Sequence, residues 1–158
     1  MLYYKDLENI VLYSDIAKNS NKLFVISGYV GAEIIKTLSS FPSNIQFEGI
    51  YGMYGCDNIS EPLHKKLVEL DKKLPNVSIS YSTVPIHSKI YCWFVNDKVS
   101  GGLIGSANFT INGLRKDYKE TLCDIQESNY DEYQKYFKYV REHSIPCNEG
   151  KISFKKSR

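Results

Sequence analysis

Two rhythms of apolar residues alternate along the first half of the chain. From Asp6 to Ala17, Leu7, Ile10, Val11 and Ile16 fall at helical spacing and predict an amphipathic helix. The short apolar run Leu23–Ser27 predicts a buried strand. After Gly28, helical spacing returns at Val30, Ile34, Ile35 and Leu38 until Pro42 ends it. A second strand is predicted over Ile45–Gly52, and the Gly-rich stretch Tyr51–Asn58 behind it reads as a loop. Pro62 suits the first turn of a third helix, where its missing N–H costs nothing, and Leu63, Leu67 and Leu70 form its stripe. Val77–Ser82 alternates as a strand does. Ser88–Val95 and Val99–Ala107 predict a hairpin turning at Asn96–Lys98, and Thr121–Gln126 a further strand. Ser128 is expected to open a last helix, with Asp131 in a capping-box-like position and Tyr130, Tyr133, Phe137 and Val140 on its buried face.

The predicted order is α-β-α-β-α-β-β-β-β-α. It describes one α/β domain, a mixed β-sheet flanked by helices, over residues 1–144, with an irregular tail from 145 to 158. A chain of 158 residues can bury a core of useful size, and 42% hydrophobic with 24% charged residues is ordinary for a soluble globule. No run of 18 apolar residues occurs, and the opening MLYYKDLENI has no apolar segment of the kind a signal peptide carries, so a cytoplasmic location is expected. Cys56, Cys92, Cys123 and Cys147 form no C-x-x-C pair and match no zinc spacing, so reduced thiols are expected and no metal or cofactor is assigned.

A net charge of +2 is too mild to identify a nucleic-acid binder by itself. Any phosphate-binding face must come from local clusters: Lys65/Lys66, Lys72/Lys73, Arg115/Lys116/Lys119, or the tail residues Lys151, Lys155, Lys156 and Arg158. Arg115, Lys116 and Lys119 are the preferred phosphate or DNA contacts, because they lie between two residues of the candidate chemistry described next.

That chemistry sits in two short segments. IHSKIYCWFV carries His87 and Lys89, and GLIGSANFT carries Gly105, Ser106 and Asn108, with Glu120 twelve residues further on. On a strand, residues two apart point to the same face, so each segment offers a pair of polar groups to one side. Polar groups buried without partners cost roughly 1–3 kcal/mol each, so their convergence implies something bound there. A phosphodiester fits: Lys89 supplies charge, Ser106 and Asn108 supply donors, and His87 supplies a nucleophile or acid. By chance, both patterns occur in this order on the order of once in a few thousand chains. His64, on a charged helix face, and His143, near a helix end, are expected to be structural or solvent-exposed.

With these residues in hand, the segments 87–89 and 105–108 resemble the phosphodiesterase motif of phospholipase D superfamily nucleases. The nearest resemblance is to the catalytic domain of metal-independent type II restriction endonucleases of the NgoFVII and BfiI kind. It implies a phospholipase D-like domain and an endonuclease that hydrolyses DNA phosphodiesters through a phosphohistidine. By that resemblance His87 is the nucleophile, Lys89 and Asn108 grip the phosphate with Ser106 nearby, and Glu120 orients the imidazole. One position departs: the family carries an aspartate five residues after the lysine, and here that residue is Phe94.

In those enzymes a DNA-recognition domain follows the nuclease domain. None is visible in these 158 residues, so either a free-standing nuclease or a catalytic module is expected. Because one His-x-Lys supplies one imidazole where the chemistry needs two, a homodimer with the active site on its two-fold axis is expected, with DNA as substrate and no membrane partner. The competing readings are a non-specific nuclease, a phospholipid phosphodiesterase, and a catalytically silent nucleic-acid-binding module.

Overall fold

Among the described residues, eight strands form one mixed sheet, and its two halves are wired differently. The computed structural model describes residues 1–115 and 120–152. In chain order the elements are β1 (Leu2–Tyr3), α1 (Leu7–Tyr13), α2 (Asp15–Lys18), β2 (Lys22–Ser27), α3 (Ala32–Lys36), β3 (Gln46–Tyr51), α4 (Glu61–Lys73), β4 (Val77–Ser82), β5 (Ile90–Val95), β6 (Lys98–Gly105), α5 (Ile111–Leu114), β7 (Leu122–Asp124), α6 (Tyr130–Glu142) and β8 (Ser144–Pro146). Across the sheet they lie β1-β7-β6-β5-β2-β3-β4-β8. The β2–β3 and β3–β4 pairs are parallel, each needing a helical crossover, and every other pair is antiparallel.

The continuous apolar runs at β2 and β5 follow from burial on both faces. Leu23 and Val25, with Tyr91 and Trp93, enter the larger core beneath α1–α4. Phe24 and Ile26, with Ile90, Cys92 and Phe94, enter a smaller core beneath α6, where Phe137 and Val140 are buried and Tyr130 and Tyr133 pack beside them. The mixed sheet with flanking helices and the buried face of α6 are therefore as the patterning predicts. The β5–β6 hairpin turns through Asn96 and Asp97, both at positive φ (50° and 67°), as a two-residue turn matched to strand twist requires.

Several boundaries differ from expectation, each for a local reason. The first predicted helix is broken at Ser14, whose extended backbone (ψ 165°) lets its Oγ accept from the N–H of Ala17 at 3.3 Å and cap α2. A short 3-10 turn, Glu127–Asn129, precedes α6, so Ser128 does not cap it and no side-chain cap bond forms there. Ile145 and Pro146, expected to begin an irregular tail, instead pair with β4 together with Ser144, in the register Tyr81↔Ile145. The hairpin strands are shorter than predicted: β5 starts only at Ile90 and β6 ends at Gly105. Both motif segments therefore stand just beyond the open end of the hairpin.

Opposite that end, Glu48 of β3 ties α6 to the sheet. It accepts from Lys22 at 2.8 Å and from both arms of Arg141 at 2.8 and 3.1 Å, and the guanidinium lies 4.5 Å over the Phe24 ring. Burial pushes the Glu48 carboxyl up, but the hydrogen bonds from Arg141 and Lys22 outweigh it and hold the group below the usual carboxylate range. A depressed carboxylate contributes stability above its unfolded value and loses it as pH falls through the folded one. Glu48→Gln is therefore expected to cost roughly 1–3 kcal/mol at pH 7. Thermal melts of the variant and the parent should converge as pH is taken below the ordinary carboxylate range.

Candidate active site

Residues 83–89 run extended between β4 and β5 and deliver the first motif. Gly52 anchors this segment, its carbonyl accepting from the N–H of Ile86 at 2.9 Å. A Cβ at Gly52 would lie 2.1 Å from the carbonyl oxygen of Ile86, so the close approach needs glycine. Alternation then sends Ser88 to one side, where its Oγ meets the hydroxyl of Tyr136 on α6 at 2.8 Å, and His87 and Lys89 to the other.

His87 is exposed, whereas Lys89 is 9% exposed. The Lys89 ammonium donates to the carbonyl of His87 at 2.8 Å and lies 3.1 Å from His87 Nε2. An ammonium can only donate, so this contact assigns the Nε2 lone pair toward Lys89 and the ring proton to Nδ1. Burial lowers the Lys89 amine from its ordinary value, and the charge of Glu120 opposes that shift.

The second motif turns back at the end of β6. Gly105 passes so close to Thr121 that a Cβ would sit 2.1 Å from the Thr121 carbonyl oxygen. Ser106 Oγ accepts from the N–H of Thr121 at 3.0 Å, and Ser106 N–H donates to the Thr121 carbonyl at 2.9 Å. Ser106 thus fastens the backbone beside Glu120 rather than standing free. Asn108 is directed at β2: its Oδ1 lies 3.1 Å from Ser27 Oγ and 3.4 Å from the N–H of Tyr29. Glu120 is half-buried and makes no hydrogen bond to His87; its charge is felt by Lys89 and by the fully buried Tyr91. Burial first, and Glu120 second, raise the Tyr91 phenol well above its ordinary value, and its hydroxyl donates to the carbonyl of Ala107 at 2.7 Å.

Beneath His87 and Asn108 lies the tip of β2, which sequence reasoning passed over. A Cβ at Gly28 would lie 2.8 Å from His87 Cδ2, and 3.5 Å from both His87 Nε2 and Asn108 Oδ1. Gly28 is therefore the floor on which the imidazole and the amide meet. Tyr29 presents its ring edge-on to His87, centroids 6.2 Å apart at 83°, and donates its hydroxyl to Asp57. The visible signal was a small Ser-Gly pair directly after an apolar strand, which reads equally well as a strand end.

Other expected residues fall elsewhere. Arg115 is committed to a two-armed ion pair with Glu8, both contacts at 2.8 Å, which holds the Glu8 carboxyl below its ordinary value. Lys116 and Lys119 lie outside the described residues. Phe94 stands at the far end of β5, roughly 15 Å along the strand from Lys89, and packs on Phe137 in the smaller core. An aspartate there would be a buried charge. His64 Nδ1 meets the Tyr81 hydroxyl at 2.9 Å and His143 Nδ1 the Tyr139 carbonyl at 2.8 Å, in keeping with structural roles. All four cysteines are free thiols, and burial pushes those of Cys92 and Cys147 up to about 12. Among the described residues, no group of three or more His, Cys, Asp or Glu could hold a metal ion, and no helix is long and apolar enough to cross a membrane.

This geometry can be set beside known proteins. NucT from Helicobacter pylori is similar in fold, with a TM-score of 0.66 at 18% identity over 92% of this chain and 97% of its own. Nuc from Salmonella typhimurium, a phospholipase D family member, superposes with a TM-score of 0.66 at 11% identity, over 92% of this chain and 95% of its own. A polyphosphate kinase from Porphyromonas gingivalis matches with a TM-score of 0.55 at 13% identity, over 89% of this chain but 20% of the kinase. No curated protein sequence matches. Residues 5–153, nearly the whole chain, match the family described as the NgoFVII restriction endonuclease N-terminal PLD domain, PLD standing for phospholipase D. The chain belongs to that family.

Proposed function

We propose that this protein is a metal-independent endonuclease that hydrolyses DNA phosphodiesters through a phosphohistidine at His87, working as a homodimer. The observation that carries the reading is the meeting of His87, Lys89 and Asn108 over Gly28, at one end of the sheet, in a chain of this family. In the first step Lys89 moves its donor from His87 Nε2 to a phosphate oxygen, and the freed lone pair attacks phosphorus. The N–P bond forms, the P–O bond to the leaving nucleoside breaks, and that oxygen takes a proton. Lys89 and the Asn108 amide hold the non-bridging oxygens as charge builds on them. In the second step water attacks the phosphohistidine, a base removes its proton, and the N–P bond breaks to release the phosphate end and restore the imidazole.

One imidazole cannot be the nucleophile and the proton donor at once. The chain has three histidines, and His64 and His143 are held by Tyr81 and Tyr139. The donor is therefore the His87 imidazole of a second copy, which the exposure of His87 allows, and the site lies on a two-fold axis. Glu120 places its negative charge on the same site, where it acts on Lys89.

The test is cleavage of supercoiled plasmid and of bis(p-nitrophenyl) phosphate by the purified protein in excess EDTA. Both activities should persist unchanged. Loss of activity in EDTA with recovery on added Mg²⁺ would overturn the histidine mechanism.

Gly28 supplies an independent check. None of the described glycines has a positive φ, so alanine is tolerated by the backbone at this position. Its Cβ must displace the exposed imidazole, and a misplacement on the order of 1 Å is expected to lower kcat by roughly 10²-fold. Gly28→Ala should melt within a few degrees of the parent while losing that activity. Comparing kcat with the thermal midpoint separates the two effects.

A further inference from the structure

The reaction scheme gives no work to Ser27, yet its hydroxyl is the most heavily used polar group at the site. Ser27 is the last residue of β2 and is completely buried. Its Oγ accepts from the N–H of Phe109 at 2.9 Å. Its single proton has two acceptors within reach, the Tyr29 carbonyl at 2.5 Å and Asn108 Oδ1 at 3.1 Å. One hydroxyl therefore holds the 108–109 turn from both sides, through the backbone of one residue and the side chain of the other.

We propose that Ser27 is a positioning residue that fixes which end of the Asn108 amide faces the substrate. A primary amide has an accepting end and a donating end, nearly equal in shape, and only its partners decide between them. The N–H of Tyr29 can only donate, so the atom facing it must be Oδ1. At 3.4 Å that contact is long, and Ser27 adds a second donor at 3.1 Å whenever its proton turns from the Tyr29 carbonyl to Oδ1. With Oδ1 retained against β2, Nδ2 is left as the end turned outward, and it makes no hydrogen bond among the described residues. An anionic phosphate oxygen accepts from Nδ2 and is repelled by Oδ1. Without Ser27 the amide can turn over and present the wrong end, so the grip on the phosphate depends on a residue that never touches it.

This inference rests on the reading of Asn108 as a phosphate contact, and the experiment keeps the two apart. Ser27→Ala, Asn108→Ala and the double variant are compared by kcat and KM on bis(p-nitrophenyl) phosphate, with thermal melts alongside. Ser27→Ala is expected to lower kcat by about 10–100-fold, the size of an oxyanion donor that is present only part of the time. In the Asn108→Ala background the same change should cost less than about threefold, because residues acting through one group are non-additive. Full activity of Asn108→Ala would remove the reading on which the inference rests. Impaired Asn108→Ala with a further, fully additive loss from Ser27→Ala would overturn the inference alone, as would an unimpaired Ser27→Ala.

Where Asn108→Ala falls to the assay background, the ¹H–¹⁵N signal of the Asn108 side-chain amide decides, titrated with inorganic phosphate. The parent signal should move with phosphate, and that of Ser27→Ala should need at least about tenfold more. Equal titrations would overturn the proposal. Ser27→Cys matches the buried volume with a weak donor and takes the place of Ser27→Ala in both measurements if the alanine variant does not fold; the same losses are expected of it.

Discussion

Turnover by His87→Ala is expected to fall more than about 10⁴-fold, the scale on which removal of a catalytic nucleophile is felt. Affinity for DNA should change by less than about threefold, because on the proposed mechanism the phosphate is held chiefly by Lys89 and Asn108. The fold should be untouched: the ring is exposed, and its only hydrogen-bonding neighbour among the described residues is Lys89. In a dimer with one site, the substitution removes nucleophile and proton donor together, and this yields a sharper result than the homodimer alone. Adding an excess of His87→Ala chains to the parent, under conditions that exchange subunits, should extinguish activity in step with the heterodimer fraction. A heterodimer keeps one imidazole and therefore lacks one of the two roles. Activity that falls only by dilution would mean that each chain cuts by itself. A phosphoenzyme trapped from the parent, labile in acid as an N–P bond is, and absent from the variant, would locate the attack.

The legibility of this chain follows what each kind of signal depends on. The alternation that places Leu23 and Val25 on one face and Phe24 and Ile26 on the other is a property of single strands, so the sheet core could be read directly. The His-x-Lys and Gly-Ser-x-Asn pairs were readable because their residue types are improbable there without a ligand. Ser27, Gly28 and Tyr29 were not, because their significance arises from contacts with His87 and Asn108, about 60 and 80 positions away. Strand β8 was missed for a related reason. In Ser144–Pro146 only Ile145 favours a strand, too little to predict one, and the segment pairs because the edge of β4 offers partners. Arg115 shows the converse case: it lies near Asn108 and Glu120 in sequence, while its guanidinium pairs with Glu8, 107 residues away, a partner that sequence proximity does not reveal. The departure at Phe94 now has a physical account, since the site does not extend that far along β5 and the smaller core does.

Lys89→Met should separate charge from packing, and its two effects run in opposite directions. Methionine fills nearly the same buried volume, so little cavity forms. The amine is already lowered by burial against the opposing charge of Glu120, which means that folding works against its desolvated charge. For a lysine with a depressed folded value, this cost is fully present below the folded pKa and fades as pH rises toward the unfolded one. Replacing it should leave the thermal midpoint at pH 7 unchanged or higher, with the difference shrinking as pH is raised. Activity should nevertheless fall by about 10³-fold, because on the proposed mechanism the cation that neutralises the phosphate in the transition state is gone. The dependence of DNA affinity on salt should weaken by about one counterion for each chain that touches the phosphates, whereas His87→Ala leaves that slope alone. Loss of activity with an unaltered slope would mean that Lys89 acts on His87 rather than on DNA. Its ammonium would then serve to hold the imidazole in the tautomer with the proton on Nδ1, through their 3.1 Å contact.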